Sequence, residues 1–127
     1  MNFEVGILYP AQSEMTQWVP VGTEILEVEW ESIPPTAATR LAEKVWERWN
    51  RGSGSESPAF LRARTRSMCV GDLVMIPALE VALVCDSFGW ETVAVTAENI
   101  CREPNTPTTI RPLWATNKSW ATHEKEQ

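Results

Sequence analysis

The sequence feature that most constrains the fold is an amphipathic segment, TAATRLAEKVWERWN, that begins at Thr36. Its apolar residues recur at the spacing of one helix face, which predicts a helix over residues 36–50 with Thr36 as its N-cap. An apolar face of this kind has to pack on another element, so the rest of the chain must supply an apolar surface. The face consists of Ala37, Leu41, Val45 and Trp49, and it is widened by Ala38, Ala42 and Trp46.

Two strand signals precede this helix. Residues 2–9, NFEVGILY, are rich in β-forming side chains and stop at Pro10, which predicts a first strand closed by a turn. Residues 26–31, LEVEWE, alternate strictly between apolar and acidic, which predicts a half-buried strand ended by Ile33-Pro34-Pro35. Leu26, Val28 and Trp30 are expected to face the core, and Glu27, Glu29 and Glu31 are expected to face solvent.

The second half of the chain predicts a meander of short strands. Residues 50–58 form a loop by composition, and residues 59–64 are expected to make one helical turn. Three strands are then predicted, separated first by Pro77-Ala78 and then by Ser87-Phe88-Gly89-Trp90. These strands cover residues 72–76, 81–86 and 92–95, and a further helical turn is expected over residues 96–102.

The predicted fold class is α+β, with a small, mainly antiparallel sheet or partly open barrel of about five strands and one packed amphipathic helix. The chain has 127 residues, enough to bury one core, and residues 1–103 are expected to form a single globular domain. Residues 104–127 are rich in proline, threonine and asparagine, and we predict an extended or disordered tail.

The charge is acidic overall and unevenly distributed. A net charge of −6 argues against general attraction to nucleic acid, so any contact with nucleic acid is expected to be local. Residues 1–39 carry six acids and no base, whereas residues 40–66 carry seven bases and three acids. The surface is therefore expected to be a patchwork of acidic and basic regions.

The cysteines and the N-terminus predict a cytoplasmic protein. The three cysteines are odd in number and form no CxxC pair, so neither a disulfide framework nor a zinc site is indicated. No basic leader precedes the first apolar run, and no stretch approaches the roughly 18 apolar residues of a membrane span. We expect no membrane association, no metal and no cofactor, and the oligomeric state is left open.

The segment RTRSMCVGDLVMI, residues 64–76, is unusually rich in turn and strand signals. Gly71-Asp72 directly before an apolar run is typical of a tight turn into a buried strand, because glycine tolerates positive φ and aspartate accepts from nearby amides. CDSFGWETV, residues 85–93, supplies a partner strand that turns at Gly89. The two segments are predicted to pair in one hairpin. The residues given structural roles are Ser67, Gly71, Asp72, Asp86, Gly89 and Trp90.

The pair RSMCVGDLVMI and VCDSFGWE resembles the YodL-like domain and related small proteins of actinobacterial plasmids and phages. WERWNRG upstream is also similar to the segment that precedes the motif in those proteins, so the resemblance covers roughly residues 37–93. Cys69 departs from the small hydroxyl residue usual at its position. The resemblance implies a mobile-element setting and no particular chemistry. The positions that fit are Ser67, Met68, Val70, Gly71, Asp72, Val74, Asp86, Ser87, Gly89 and Trp90.

No catalytic residue is assigned from the sequence. His123 is the single histidine and lies in the polar tail, where a solvated side chain is the simpler interpretation than a general base. Asp72 and Asp86 are placed to face each other across the hairpin as an acid/base or metal pair, but turn capping explains both more simply. An enzyme built on these two carboxylates is therefore the least supported hypothesis.

Three groups of residues are candidates for binding. Arg62, Arg64 and Arg66 form a basic cluster suited to phosphate, with a solvated loop as the alternative. The acidic face of the predicted strand spaces its carboxylates about 6.6 Å apart, near the phosphate repeat of nucleic acid, with an ordinary solvated face as the alternative. Tryptophans in the polar tail are typical anchors of protein interfaces. The acidic face is Glu27, Glu29 and Glu31, and the tail tryptophans are Trp114 and Trp120.

Two functional hypotheses are carried forward beside the enzyme. The first is a non-enzymatic mobile-element accessory protein that binds and inhibits a host protein, for example a CRISPR or restriction defence component or other nucleic-acid-binding defence or replication machinery. The second is a nucleic-acid or nucleotide-binding module that uses the basic cluster of Arg62, Arg64 and Arg66 beside a β-platform. The resemblance, the small size and the segregated charge favour the first hypothesis.

Overall fold

The computed structural model describes residues 1–11, 18–95 and 100, and these form an α+β fold. Five antiparallel strands make one open sheet, which confirms the predicted small antiparallel sheet, and their order is β2-β1-β3-β4-β5. Two helices lie between the second and third strands in the chain. The elements are β1 (Asn2–Pro10), β2 (Trp18–Glu27), α1 (Ala37–Arg48), α2 (Pro58–Ala63), β3 (Leu73–Ile76), β4 (Val81–Asp86) and β5 (Gly89–Val93).

The amphipathic helix is confirmed as α1. Thr36 occupies the N-cap position, but its side chain makes no capping hydrogen bond. The apolar face is buried as its spacing predicts, and Trp49 just beyond the helix is fully buried. The predicted helical turn is confirmed as α2, whose N-cap is Ser57: its Oγ accepts from the amide of Phe60 at 3.1 Å. The predicted loop between the two helices contains no helix or strand over residues 50–57.

The predicted meander is also confirmed, although its last strand, predicted over residues 92–95, is observed as Gly89–Val93. β3 and β4 lie where the sequence places them, and a short 3-10 turn, Pro77–Leu79, connects them. β5 begins at Gly89 instead of residue 92, because the turn takes only Ser87 and Phe88 and pairing starts at once.

The predicted strand over residues 26–31 was wrong in its boundaries. β2 ends at Glu27, and most of it, from Trp18 onward, lies before the alternating segment. The alternation of burial does continue past the strand, since Val28 is buried and Glu29 is exposed. Val28 exchanges two hydrogen bonds with Met1, at 2.8 and 2.7 Å, so the chain stays extended beside β1. The early strand was missed because VPVGTE carries glycine and proline, which argue against a strand.

The sheet has two apolar faces. On the helix face, β1, β3 and β4 pack against α1 and α2 around Trp49 and Phe60. On the opposite face a smaller cluster is built around Leu8, Leu73 and Met75. The alternation along β1 explains the division, because Ile7 faces the helices and Leu8 faces the other way.

Several predictions lie outside the described residues: the disordered tail over residues 104–127 with Trp114, Trp120 and His123, and almost all of the helical turn over residues 96–102. Within the part of the chain that the structure describes, no helix is long and apolar enough to cross a membrane.

Candidate functional site

The segment RTRSMCVGDLVMI is organised around an ion pair between the buried carboxylate of Asp72 and the partly exposed guanidinium of Arg66. Asp72 is 0% exposed, and Arg66 donates to both of its carboxylate oxygens at 2.8 Å. The amide of Cys69 donates to the same carboxylate at 2.7 Å. A buried carboxylate is costly unless it is paired and hydrogen-bonded, and this bidentate geometry meets both needs. Asp72 therefore holds the entry to β3, which is the structural role predicted for it.

Tyr9 on β1 completes this arrangement. The guanidinium of Arg66 lies 4.0 Å from the centre of the Tyr9 ring, and the Tyr9 hydroxyl donates to the Arg66 carbonyl at 2.9 Å. Burial, followed by the nearby charge of Asp72, raises the pKa of Tyr9, so the hydroxyl keeps the proton that it donates. The hydrogen bonds with Asp72 raise the pKa of Arg66.

The predicted hairpin is confirmed at its turns. Gly71 has φ +98°, which favours glycine, and its amide donates to the carbonyl of Cys85 at 2.8 Å. The amide of Cys85 donates to the backbone carbonyl of Asp72 at 2.9 Å. Asp86 caps the next turn by accepting from the amide of Phe88 at 2.8 Å, and Gly89 has φ +146°. Asp72 and Asp86 therefore both accept hydrogen bonds from turn amides, as the turn-capping interpretation predicts. The described residues hold no group of three or more His, Cys, Asp or Glu that could bind a metal ion.

The basic cluster is divided between two environments. Arg62 and Arg64 are exposed at the end of α2, and Arg64 adopts a left-handed conformation with φ 51°. Arg66 forms an ion pair with Asp72, so its charge is neutralised locally. Ser67 accepts from the amide of Arg51 at 2.9 Å and ties the loop after α1 to this segment. A role in binding nucleic acid now rests on Arg62 and Arg64.

A second buried carboxylate, Glu24 on β2, was missed in the sequence. Arg48 donates to Glu24 from Nε at 2.8 Å and forms an ion pair with it at 2.6 Å. The Trp49 indole and the Ser57 hydroxyl, the latter at 2.8 Å, also donate to this carboxylate. We call Glu24, Arg48, Trp49 and Ser57 the closed cluster.

The closed cluster joins β2 to the ends of both helices. Trp49 packs so closely on β2 that a Cβ added at Gly22 would lie 2.5 Å from its ring. A signal for Glu24 does exist in the sequence, because it lies two residues before the inward-facing Leu26 and so shares its side of the strand. An acid at an inward position predicts a buried partner. The partners themselves, 24 and 33 residues away, follow only from the packing of the helices.

An open cleft lies on the other side of α1, between that helix and the β4–β5 turn. Its volume is about 580 Å³. Trp46 from α1 and Trp90 from β5 both line this cleft. Their rings pack edge to face, with ring centres 6.5 Å apart and an interplanar angle of 82°. Both tryptophans are only partly buried. We call this site the tryptophan cleft; it is lined by Glu43, Trp46, Glu47, Val70, Cys85, Asp86, Ser87, Gly89 and Trp90.

The tryptophan cleft is acidic. Glu43, Glu47 and Asp86 contribute carboxylates, and no lysine or arginine lines it. Among the described residues the ion pairs are Arg48 with Glu24 and Arg66 with Asp72, so the pairing of Glu43 and Glu47 with later bases that the helix spacing permits does not occur. Like charges four residues apart on a helix are slightly destabilising. These two glutamates therefore do not stabilise α1 as a pair.

The wall of the tryptophan cleft also contains a cysteine and an exposed apolar residue. Burial raises the pKa of the Cys85 thiol, with further contributions from the charges of Asp72 and Asp86, so the thiol stays protonated at neutral pH. Val70 is 58% exposed beside the cleft, and Phe88 at the tip of the β4–β5 turn is fully exposed. Exposed apolar side chains beside a cleft are typical of a contact surface.

The predicted acidic face does not form a strand ladder. Glu27 ends β2, while Glu29 and Glu31 follow the strand; all three are exposed. The 6.6 Å spacing assumed for a regular strand therefore does not apply to this set. Its role in binding stays a prediction, as does the role of the tail tryptophans.

Comparisons with protein-family models, with curated proteins and with solved structures returned no match to this chain. The resemblance to the YodL-like domain stays a prediction, and the assignment of a functional site depends on the geometry described above.

Proposed function

We propose that this protein is a non-enzymatic binding protein that captures a basic segment of a partner protein in the tryptophan cleft. The observation that carries the proposal is the combination of two partly buried tryptophans with three carboxylates that form no ion pair among the described residues. Arg40 and Lys44 line a neighbouring depression with Glu43 and Glu47, outside the cleft itself. A cation is attracted both to a tryptophan face and to a carboxylate, so an arginine or lysine side chain satisfies both features.

The cleft is also suited to a protein ligand by its surroundings. Its volume of about 580 Å³ accommodates one or two side chains, and it opens beside the exposed Val70 and Phe88. Aromatic side chains in such a position are frequent energetic centres of protein interfaces. The ion pair of Arg48 with Glu24 ties α1 to β2, and that of Arg66 with Asp72 fixes the entry to β3; in each pair the carboxylate is buried and the arginine is partly exposed. These contacts support a largely preformed site.

The setting that we propose for this activity is a phage or plasmid, where the protein would inhibit a host protein. The resemblance to YodL-like proteins supports that setting, and the acidic site supports a target with a basic surface. Defence and replication proteins that bind nucleic acid carry such surfaces, because they have to neutralise phosphates. An acidic cleft placed on that surface would compete with the nucleic acid.

The nucleic-acid-binding hypothesis has weaker support. Of the predicted basic cluster, Arg66 is paired with Asp72, and only Arg62 and Arg64 form no ion pair among the described residues. The chain as a whole carries a net charge of −6. Two phosphate contacts would give a weak association with a shallow salt dependence, a slope of about −2 in log K against log salt concentration.

The experiment that tests the proposal is a matched set of purifications from a nuclease-treated lysate of an actinobacterial host. The tagged protein is compared with Trp90→Ala, with the double variant Glu43→Gln/Glu47→Gln, and with Ile25→Ala as a control. Ile25 is 66% exposed and lies on β2, far from the cleft in the sheet order.

We expect a stoichiometric protein that co-purifies with the natural chain and with Ile25→Ala and is lost from both cleft variants. Its binding should be repeated with purified partner and should weaken with salt. A partner retained by both cleft variants would contradict the proposal. A parallel purification without nuclease tests the alternative: recovery of nucleic acid alone, lost in Arg62→Ala/Arg64→Ala, would favour nucleic-acid binding.

A further inference from the structure

The two edges of the sheet differ in how they are protected. β2 contains Pro20, lies beside a register shift after Ile7, and forms a parallel bridge from Trp18 to Ile100. Proline, bulges and covering segments are the usual ways of blocking an exposed edge. β5, GWETV, contains no proline, lysine or arginine, and no strand that the structure describes pairs with its outer edge. Among the residues that the structure describes, the edge left without a pairing strand is therefore the one beside the tryptophan cleft.

The pairing of β4 determines which backbone groups of β5 face outward. Cys85 uses its amide and its carbonyl toward β3, with the bonds to Asp72 and Gly71. Trp90 lies opposite Cys85 and cannot form the reciprocal pair of hydrogen bonds with it. In an antiparallel ladder the N–H and C=O groups of such a residue point away from its neighbour. Thr92, two residues further along, is in the same position, so both residues present a donor and an acceptor at the free edge.

The side chains of these residues lie on the helix face of the sheet. Trp90 contacts Trp46 of α1, and side chains alternate along a strand, so Thr92 shares that face. A strand added beside β5 would also place every second side chain on that face, next to the acidic wall made by Glu43 and Glu47. The edge and the cleft thus form one continuous surface.

We propose that the partner's basic segment binds as an added β-strand on β5, with alternate arginine or lysine side chains entering the tryptophan cleft. This inference rests on the proposed function and specifies its mode of recognition. The main-chain hydrogen bonds of Trp90 and Thr92 supply register, and the acidic cleft selects for positive charge at alternate positions. The exposed ring of Phe88 lies at the end of the same strand pair and extends the contact.

The test uses a synthetic peptide of alternating threonine and arginine, titrated against the full chain by calorimetry. Two control peptides have the same composition: one with its arginines grouped together, and one N-methylated on alternate amides to remove the donors of one edge. We expect both controls to bind about tenfold more weakly. The N-methylated peptide loses main-chain donors to the β5 edge, whereas the peptide with grouped arginines keeps its donors but no longer places positive charge at alternate positions.

Variants of the protein test the same contact from the other side. Thr92→Pro removes an outward N–H without removing a bond to β4, whereas Thr92→Ala keeps that N–H. We expect about a tenfold loss for Thr92→Pro and no loss for Thr92→Ala. Glu43→Gln/Glu47→Gln should weaken binding, while Glu91→Gln should not, because Glu91 pairs with Val84 and faces the opposite side of the sheet.

The outcomes separate this inference from the proposed function. If the N-methylated peptide binds as well as the parent and Thr92→Pro has no effect, while the Glu43→Gln/Glu47→Gln variant binds weakly, strand addition is wrong and the acidic cleft still stands. If none of the peptides binds, both proposals are contradicted. The N-methylated peptide requires no change to the protein, so this result does not depend on a variant that folds.

Discussion

The molecule uses acids and tryptophans in two opposite ways on the two sides of α1. In the closed cluster, Glu24 is buried, and it accepts hydrogen bonds from the Trp49 indole and from Arg48. In the tryptophan cleft, Glu43 and Glu47 lie beside partly buried rings and form no ion pair with the described residues. In the closed cluster, where every polar group has a partner, these residue types stabilise the fold. In the tryptophan cleft the carboxylates of Glu43 and Glu47 have no such partner among the described residues, so their charge is left for a ligand.

The largest expected difference between the two regions is in stability. Trp49 is fully buried and donates to Glu24, so Trp49→Ala should lower the free energy of unfolding by about 3–5 kcal/mol. Trp46→Ala should lower it by only about 1 kcal/mol, because that ring is partly exposed. Urea denaturation of both variants measures the contrast. Equal losses would show that the cleft ring is as much a part of the core as Trp49.

Replacing a carboxylate should also cost more stability in the closed cluster than in the tryptophan cleft, although the difference should be smaller than for the tryptophans. Glu24→Gln keeps the shape of the side chain but removes the charge that Arg48, Trp49 and Ser57 share, which should cost about 1.5–3 kcal/mol. Glu43→Gln should change stability by less than about 0.5 kcal/mol, and its sign should be favourable because a like-charge pair is relieved. A substantial loss from Glu43→Gln would contradict the interpretation of the cleft acids as free of a structural role.

The smallest expected effect concerns pH. Because burial raises the pKa of Cys85 above its unfolded value, the folded protein keeps this proton after the unfolded chain has lost it. The stabilisation is fully present below the unfolded pKa of about 8.5 and is lost as pH rises through the folded pKa. Melting temperatures of Cys85→Ala should therefore decline less than those of the natural chain above about pH 8.5. A decline of Cys85→Ala identical to that of the natural chain would contradict the expectation.

The sequence was most informative where spacing alone determines structure. The apolar face of α1, the Gly71 turn and the β3–β4–β5 meander depend on periodicity and turn chemistry, and each was predicted. The early part of β2 was not, because Pro20 and Gly22 mask the strand signal, and the strand tolerates them at a sheet edge beside a bulge.

The candidate site was only partly accessible from the sequence. Asp86, Gly89 and Trp90 were singled out as turn and hairpin residues, but their proximity to Glu43 and Trp46 follows from the packing of α1 on the sheet. Arg66 was predicted to belong to a basic cluster, although it forms an ion pair with Asp72. Side-chain partners distant along the chain cannot be read from periodicity, since that signal gives only the face on which a residue lies.

The most direct test of the account is to follow the tryptophan indole N–H signals by NMR while the alternating threonine–arginine peptide is added to the full chain. The account predicts that the signals of Trp46 and Trp90, assigned with their alanine or phenylalanine variants, shift with peptide concentration, whereas that of Trp49 in the closed cluster stays fixed. Shifts of the Trp49 signal without those of Trp46 and Trp90, or no shift of any indole signal, would contradict the claim that the tryptophan cleft is the binding site.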